Sequence, residues 1–173
     1  MVYSNRLPLK TGVVLTMLAL LLALKPAGTL QADKDSLDWV SLEEAQKAAV
    51  EDGKKIMVYV HAEWCGICRQ VEEEIFPESL IQRLVERNYH PVNIDLDSQE
   101  KVLFNGEEMT EREFARKMNV STTPTFLFIN KDGKVLAHQV GYNPLERFAA
   151  LLRFINSEWF GEVSFSEYLE IIG

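Results

Sequence analysis

The chain has only two cysteines in 173 residues, Cys65 and Cys68, and they fall where a strand-like run hands over to a helix-like one. The run before them, Ile56-Met57-Val58-Tyr59-Val60, is rich in the β-branched and aromatic residues that fit a buried strand. The segment after them, Arg69 to Phe76, reads as helical. A strand that turns directly into a helix points to an α/β arrangement and places Cys65 at the helix N-terminus. Unpaired backbone N–H groups and the positive end of the helix dipole favour a thiolate there. Such sites bring a thiol pKa from about 8.5 to roughly 3.5–7.5, so a useful fraction ionises at neutral pH. Cys65 is therefore the candidate nucleophile. Cys68, one turn further in, is expected to be the more buried and to act as the resolving thiol.

Two other uses of the pair stay open on the residues alone. A structural zinc site wants four ligands, and no second cysteine pair exists. His61 could join only with help from the distant His90 or His138, so no metal ligand set is assigned. A purely structural disulfide is the second use, although so small a loop removes little unfolded-state entropy and stabilises weakly.

Residues 1–32 carry Arg6 and Lys10, an apolar stretch of 13 residues from Gly12 to Leu24, and small residues near Ala32. A basic start, an apolar middle and a small-residue end are the parts of an export signal. The stretch is short for a membrane span, which needs about 20 residues. Leu30 is larger than a cleavage site usually wants, so an uncleaved N-terminal anchor is the other reading of 1–32. Without this leader, 15 basic residues face 26 acidic ones, a net charge near −11. A surface this acidic argues against nucleic acid and anionic membranes as partners. The expected organisation is a leader at 1–32, one domain at 33–156 and a C-terminal extension at 157–173.

Along the domain, Ser41-Leu42-Glu43-Glu44 has capping-box spacing and Gly53 supplies a stop, which predicts a helix over 41–52. A strand is expected near 55–61, then the cysteine-bearing helix, interrupted at Phe76-Pro77 because proline lacks an N–H. Ser79 to Arg87 reads as a second helix with Leu80, Leu84 and Val85 on one side, and Tyr89 to Leu96 as the next strand. Lys101 to Phe104 followed by Asn105-Gly106 suggests a small hairpin or turn, since Asn-Gly accepts the positive φ angles of a tight loop. Thr110-Glu111-Arg112-Glu113 is a second capping box, and Phe114, Ala115 and Met118 make the face of a helix over 110–118. The strands Phe126–Asn130 and Val135–Val140 flank an Asp132-Gly133 turn, and Pro144 to Asn156 is an amphipathic helix. Ser164-Phe165-Ser166-Glu167 opens a last short helix through Ile171, with Trp159, Phe160, Phe165 and Tyr168 expected to fold back on the body. Strands joined through helices are expected to be parallel neighbours, and the final hairpin antiparallel. The sum is a central mixed sheet of about four strands flanked by helices.

Three elements then resemble the thioredoxin superfamily in order and spacing: Ala62-Glu63-Trp64-Cys65-Gly66-Ile67-Cys68, Thr123-Pro124-Thr125, and Val140-Gly141. The resemblance covers about 37–156. Within the superfamily the chain is similar to the exported, SoxW-like thioredoxins, through Met109 to Val120, Gly141-Tyr142 and Phe165 to Leu169. The resemblance implies a thioredoxin-like fold and a thiol-disulfide oxidoreductase whose redox group is the Cys65–Cys68 disulfide, with no other cofactor. It implies that Cys65 attacks a partner disulfide and that Cys68 then attacks Cys65 to release the reduced partner. It also implies a cis peptide bond before Pro124, which would face the cysteines while the neighbouring Thr123 backbone pairs with an extended substrate. Trp64, Gly66, Ile67 and Gly141 would complete the substrate groove. Their plainer readings are packing for Trp64, strand entry for Pro124 and a turn for Gly141.

The chain departs from the family pattern in places that bear on mechanism. Tyr59 stands six residues before Cys65, where cytosolic thioredoxins have a buried aspartate, and Pro91 stands where they have its lysine partner. Proton handling then falls to water, Glu63 or another group. The stretch from Asp95 to Pro124 is longer than in short thioredoxins by about 14 residues. Expected partners are disulfide-containing exported proteins and a membrane thiol carrier as electron donor, in the periplasm or otherwise outside the cytoplasm. A disulfide-forming oxidant or isomerase, or a binding module without turnover, are the alternative functions.

Overall fold

The computed structural model describes residues 37–173, so the leader expected at 1–32 and the domain start at 33 lie outside the described residues. From Leu37 the chain forms α1 (Leu42–Asp52), β1 (Lys55–His61), α2 (Gly66–Glu74), α3 (Ser79–Asn88) and β2 (Tyr89–Asp95). It continues through β3 (Lys101–Phe104), β4 (Glu107–Thr110), α4 (Glu111–Lys117), β5 (Thr125–Ile129), β6 (Val135–Val140), α5 (Leu145–Ile155) and α6 (Phe165–Ile172). Strands β2-β1-β5-β6, in that order, make one mixed sheet, and β3-β4 a separate hairpin.

Local chemistry sets many of the boundaries. Ser41, Thr110 and Ser164 each close a full capping box with the glutamate three residues on, starting α1, α4 and α6. Asn105 and Gly106 both take positive φ, which is the two-residue turn that joins β3 to β4.

Alternation along the central strands sorts side chains onto two faces. Met57 and Tyr59 of β1 and Phe126 and Phe128 of β5 enter one core, with Cys65, Cys68, Ile81, Val85 and Phe148. Ile56, Val58, Val60, Leu127 and Ile129 enter the other, with Leu42, Ala45 and Ala49 of α1 and Phe104 and Phe114 of the hairpin–helix segment. The strands β1 and β5 are therefore covered on both sides, and all five residues of β5 are buried.

Three expectations need correction. Strand β2 is parallel to β1, but β5, which follows a helix, is antiparallel to β1 and not adjacent to β2. The chain leaves β2 at Asp95 beside His61 and enters β5 at Thr125 beside Val60, on the same edge of the sheet. Helix α4, seven residues and about 10 Å long, is too short to carry the chain across to the far edge. On α3 the fully buried residues are Ile81 and Val85, while Leu80 and Leu84 flank them half-buried. In the tail, Phe160, Phe165 and Tyr168 pack around Phe154, but Trp159 stays 41% exposed. Phe154 offers one aromatic docking point, and the other three rings occupy it.

Candidate active site

Cys65 is the N-cap of α2, in extended backbone geometry, and Cys68 lies in the first turn. Their sulfurs are joined in a disulfide with the Cα atoms 5.2 Å apart. The Cys68 amide donates to the Cys65 sulfur at 3.1 Å, so the orphan N–H of a helix start is aimed at that sulfur. No acidic residue occupies the first turn of α2, and the Arg69 guanidinium comes within 3.9 Å of where a side-chain carbon on Gly66 would sit. Both features favour negative charge on Cys65 once the disulfide opens. Cys68 is the more buried, 1% exposed against 5% for Cys65.

The sheet edge assembles the other residues singled out by sequence. β5 begins beside the C-terminal end of β1, so Thr123-Pro124 lie at the edge from which the cysteine turn departs. The Thr123–Pro124 peptide bond is cis, and Pro124 is buried. The Pro124 carbonyl accepts from the Gly141 amide at 2.8 Å, which ties these two positions together. Gly141 has φ +84° with open space around it, so its backbone conformation calls for glycine. The Thr123 hydroxyl is buried and has no hydrogen-bond partner among the described residues. Trp64 and Ile67 are exposed to 67% and 50%, and Gly66 is exposed beside them. Val140, at the end of β6 next to Gly141 and part of the Val140-Gly141 pair noted in the sequence, adds another exposed apolar side chain.

Other neighbours also escaped the sequence. The Trp64 indole donates to Asp97 at 2.7 Å, and Arg112 of α4 donates to the same aspartate through its carbonyl at 3.0 Å and its carboxylate at 3.4 Å. Tyr59, standing where an aspartate was missed, places its hydroxyl 3.2 Å from the Cys68 carbonyl and 3.1 Å from Glu72 Oε1. Burial, reinforced by the Glu72 charge, pushes its phenol pKa far above the ordinary value, so it stays a donor. Glu63, the carboxylate considered earlier, is exposed. Glu72 had one legible signal: it lies four residues after Cys68 and so on the same helical face. Among the described residues, no three His, Cys, Asp or Glu side chains converge to hold a metal ion.

The family model described as a thioredoxin-like domain matches residues 42–156. The chain is 31% identical over 97 residues to the thiol:disulfide interchange protein DsbD of Actinobacillus pleuropneumoniae, covering 56% of this chain and 15% of that protein. It spans 65% or less of the length of the curated relatives it matches. Among solved structures, a thioredoxin from Thermus thermophilus superposes with a TM-score of 0.59 at 29% identity, covering 73% of this chain and 91% of that one. The oxidoreductase DsbH superposes with a TM-score of 0.56 at 22% identity, covering 68% and 83%. A disulfide at the handover from β1 to α2, in a sheet of this order and under a family model that spans most of the chain, leads to one assignment: the chain belongs to the thioredoxin-like domain family.

Proposed function

We propose that the protein is an exported, SoxW-like thioredoxin that reduces disulfides in other exported proteins. The observation that carries this reading is the Cys65 sulfur at the start of α2, receiving the Cys68 amide, with the second sulfur behind it. In the reduced state the Cys65 thiolate attacks a substrate disulfide and one substrate thiolate leaves. Cys68 then attacks Cys65, the mixed disulfide breaks, the second substrate thiolate leaves, and the Cys65–Cys68 disulfide remains. Two electrons pass from the protein to the substrate in each cycle.

Trp64, Gly66, Ile67, Thr123, Pro124 and Gly141 form the substrate groove in this reading. The exposed apolar groups Trp64, Ile67 and Val140 suit a protein substrate better than a small thiol. Thr123 makes no backbone hydrogen bond to the rest of the described chain, so its backbone is available to an extended substrate segment. Residues 1–32 act as an export signal or N-terminal anchor, 33–156 form the catalytic domain, and 157–173 are a packed extension. The cycle is renewed by a membrane thiol carrier, because cytosolic thioredoxin reductase is not supplied outside the cytoplasm. Similarity to a thiol:disulfide interchange protein supports thiol carriers and disulfides as the partners.

Replacing Cys68 by serine should trap substrates as mixed disulfides on Cys65, and replacing Cys65 should abolish the capture. Equal function of the Cys65→Ser protein in cells would favour a binding module. The potential of the Cys65–Cys68 couple fixes the direction: a value near about −270 mV fits the reductase, and one near about −120 mV overturns it in favour of an oxidant.

A further inference from the structure

Near the disulfide, two side chains of β1 approach one carboxylate oxygen of Glu72 on α2. Tyr59 sits mid-strand in β1, 1% exposed, its ring enclosed by Trp39, Phe76 and Phe126. Its hydroxyl touches both the Cys68 carbonyl and Glu72 Oε1. His61, two residues along the strand and so on the same face, stacks on the Tyr59 ring with centroids 5.5 Å apart. The His61 Nδ1 atom lies 4.0 Å from the same Glu72 oxygen. The Glu72 side chain is 41% exposed and that of His61 21%, so the cluster runs from a buried hydroxyl out to water.

Glu72 lies beyond the first turn of α2. It opens a run of three glutamates at the C-terminal end of α2, where the helix dipole disfavours negative charge. Four residues from Cys68 on one helical face, it has a Cβ about 5–6 Å from that of the cysteine. A carboxylate at that separation reaches the thiol directly or across one water. Cys68 needs such a group. Burial opposes formation of its thiolate, yet it must lose a proton before it can attack the mixed disulfide.

We propose that Glu72 takes the proton from Cys68 in the resolving step, held in place by the Tyr59 hydroxyl and electrostatically coupled to His61. This rests on the exchange cycle proposed above. The Cys68 S–H bond breaks and the proton passes to the Glu72 carboxylate, while the Cys68 sulfur pair forms the bond to Cys65 and the substrate sulfur leaves with its own pair. The proton then passes to the departing thiolate or to water. Tyr59 is a positioning residue: its hydroxyl fixes one Glu72 oxygen and remains protonated throughout. The His61 imidazole, 4.0 Å from the same oxygen, stabilises the Glu72 carboxylate whenever it carries a proton and so weakens it as a base. Tyr59, His61, Glu72 and Cys68 are the titratable groups of the cluster. The rings packed against Tyr59 from the 37–40 segment, the α2–α3 connection and β5 are Trp39, Phe76 and Phe126, which do not titrate.

The test uses the reduced protein and an aromatic disulfide that releases a coloured thiolate at each step, followed by stopped flow across pH. The first release reports attack by Cys65 and depends on reagent concentration; the second reports resolution by Cys68 and does not. In Glu72→Gln, which keeps the shape and a hydrogen-bond partner for Tyr59, the second release should slow at least ~10-fold at neutral pH while the first keeps its rate. In His61→Gln the second release should change less than in Glu72→Gln. In Tyr59→Phe it should slow less than in Glu72→Gln. A second release with the parent's rate and pH profile in Glu72→Gln overturns the proposal. Loss of both releases in the parent protein would instead overturn the exchange cycle itself.

Discussion

The two faces of the central sheet are built from the same strands but carry different contents. Odd-numbered residues of β1 face a core crowded with aromatic rings, a disulfide and the tyrosine hydroxyls of Tyr59 and Tyr89, each with a hydrogen-bond partner. Even-numbered residues face a mostly aliphatic core under α1 and the hairpin–helix segment of residues 101–117, with Phe104 and Phe114 as its aromatic pair. Strand alternation lets one sequence serve both, because neighbouring residues never share a face. The contrast suggests a division of labour: one face holds redox chemistry against a rigid sheet, and the other keeps that sheet rigid.

The division predicts opposite outcomes for paired substitutions. Cys65→Ser should reduce disulfide exchange by at least ~1,000-fold, since no other thiol can start the reaction. Its unfolding free energy should stay within about 1 kcal/mol of the reduced parent. Phe114→Ala, at a fully buried site edge-on to Phe104 with ring centroids 5.2 Å apart, should cost about 3–5 kcal/mol. Under conditions that keep it folded, its exchange rate per molecule should match the parent within about twofold. Denaturant melts and exchange kinetics on both proteins read the two quantities. A Phe114→Ala protein that is folded but tenfold slower would show that the faces are not separable.

The faces also differed in how far they could be read without coordinates. The three capping boxes, the Asn105-Gly106 turn and the alternation of β1 follow rules that span a few residues, and these features were visible in the sequence. The cysteine turn was visible for the same reason: its geometry is set within α2 and the strand before it. Long-range placement was not. Whether β5 runs with or against β1 depends on which edge the segment after β2 returns to, and no local rule contains that. Tyr59 and Glu72 meet because a strand and a helix pack together, 13 residues apart in sequence. Asp97 and Arg112 reach the rim of the site only because the lengthened stretch after β2 folds back toward Trp64.

A smaller effect tests how the hairpin is fastened to the sheet. Gly133, in the β5–β6 turn, has φ +75°, and a Cβ built there would lie 2.1 Å from the Asn105 side-chain oxygen at the hairpin tip. That same oxygen accepts from Gln46 of α1 at 2.7 Å, and the Asn105 amide donates back to Gln46 at 3.1 Å. Gly133→Ala must therefore adopt a left-handed backbone and also displace a carboxamide that joins α1 to the hairpin. The expected loss is about 1–3 kcal/mol, above the conformational cost alone. Adding Asn105→Ala should return part of it, because the clash disappears with the side chain. The redox potential should not move in either protein. If Asn105→Ala restores nothing, the hairpin tip is not what Gly133 accommodates.

The smallest effect lies where the two faces touch. Arg112 belongs to α4 on the aliphatic side, yet through Asp97 it reaches the indole of Trp64, the residue before Cys65. Both partners of the ion pair are about half exposed, 45% for Arg112 and 51% for Asp97, so the pair itself should contribute no more than about 0.5 kcal/mol to stability. Its effect should appear in position instead. With Arg112→Ala the Asp97 carboxylate loses a restraint, and the Trp64 indole N–H signal should shift and exchange faster with solvent, as followed by NMR against a Trp64→Phe assignment control. Reaction with a small aromatic disulfide should be unchanged, because Cys65 is untouched. Reaction with a folded protein disulfide, which must dock on the exposed ring, should slow by about two- to threefold, a difference of roughly 0.4–0.7 kcal/mol at 1.36 kcal/mol per decade. Asp97→Asn should give the same pattern more strongly, since it weakens the acceptor of the indole directly. An Arg112→Ala protein whose small-disulfide rate falls as far as its protein-disulfide rate would place the effect on the nucleophile, and the sheet would then transmit more between its faces than their separate cores imply.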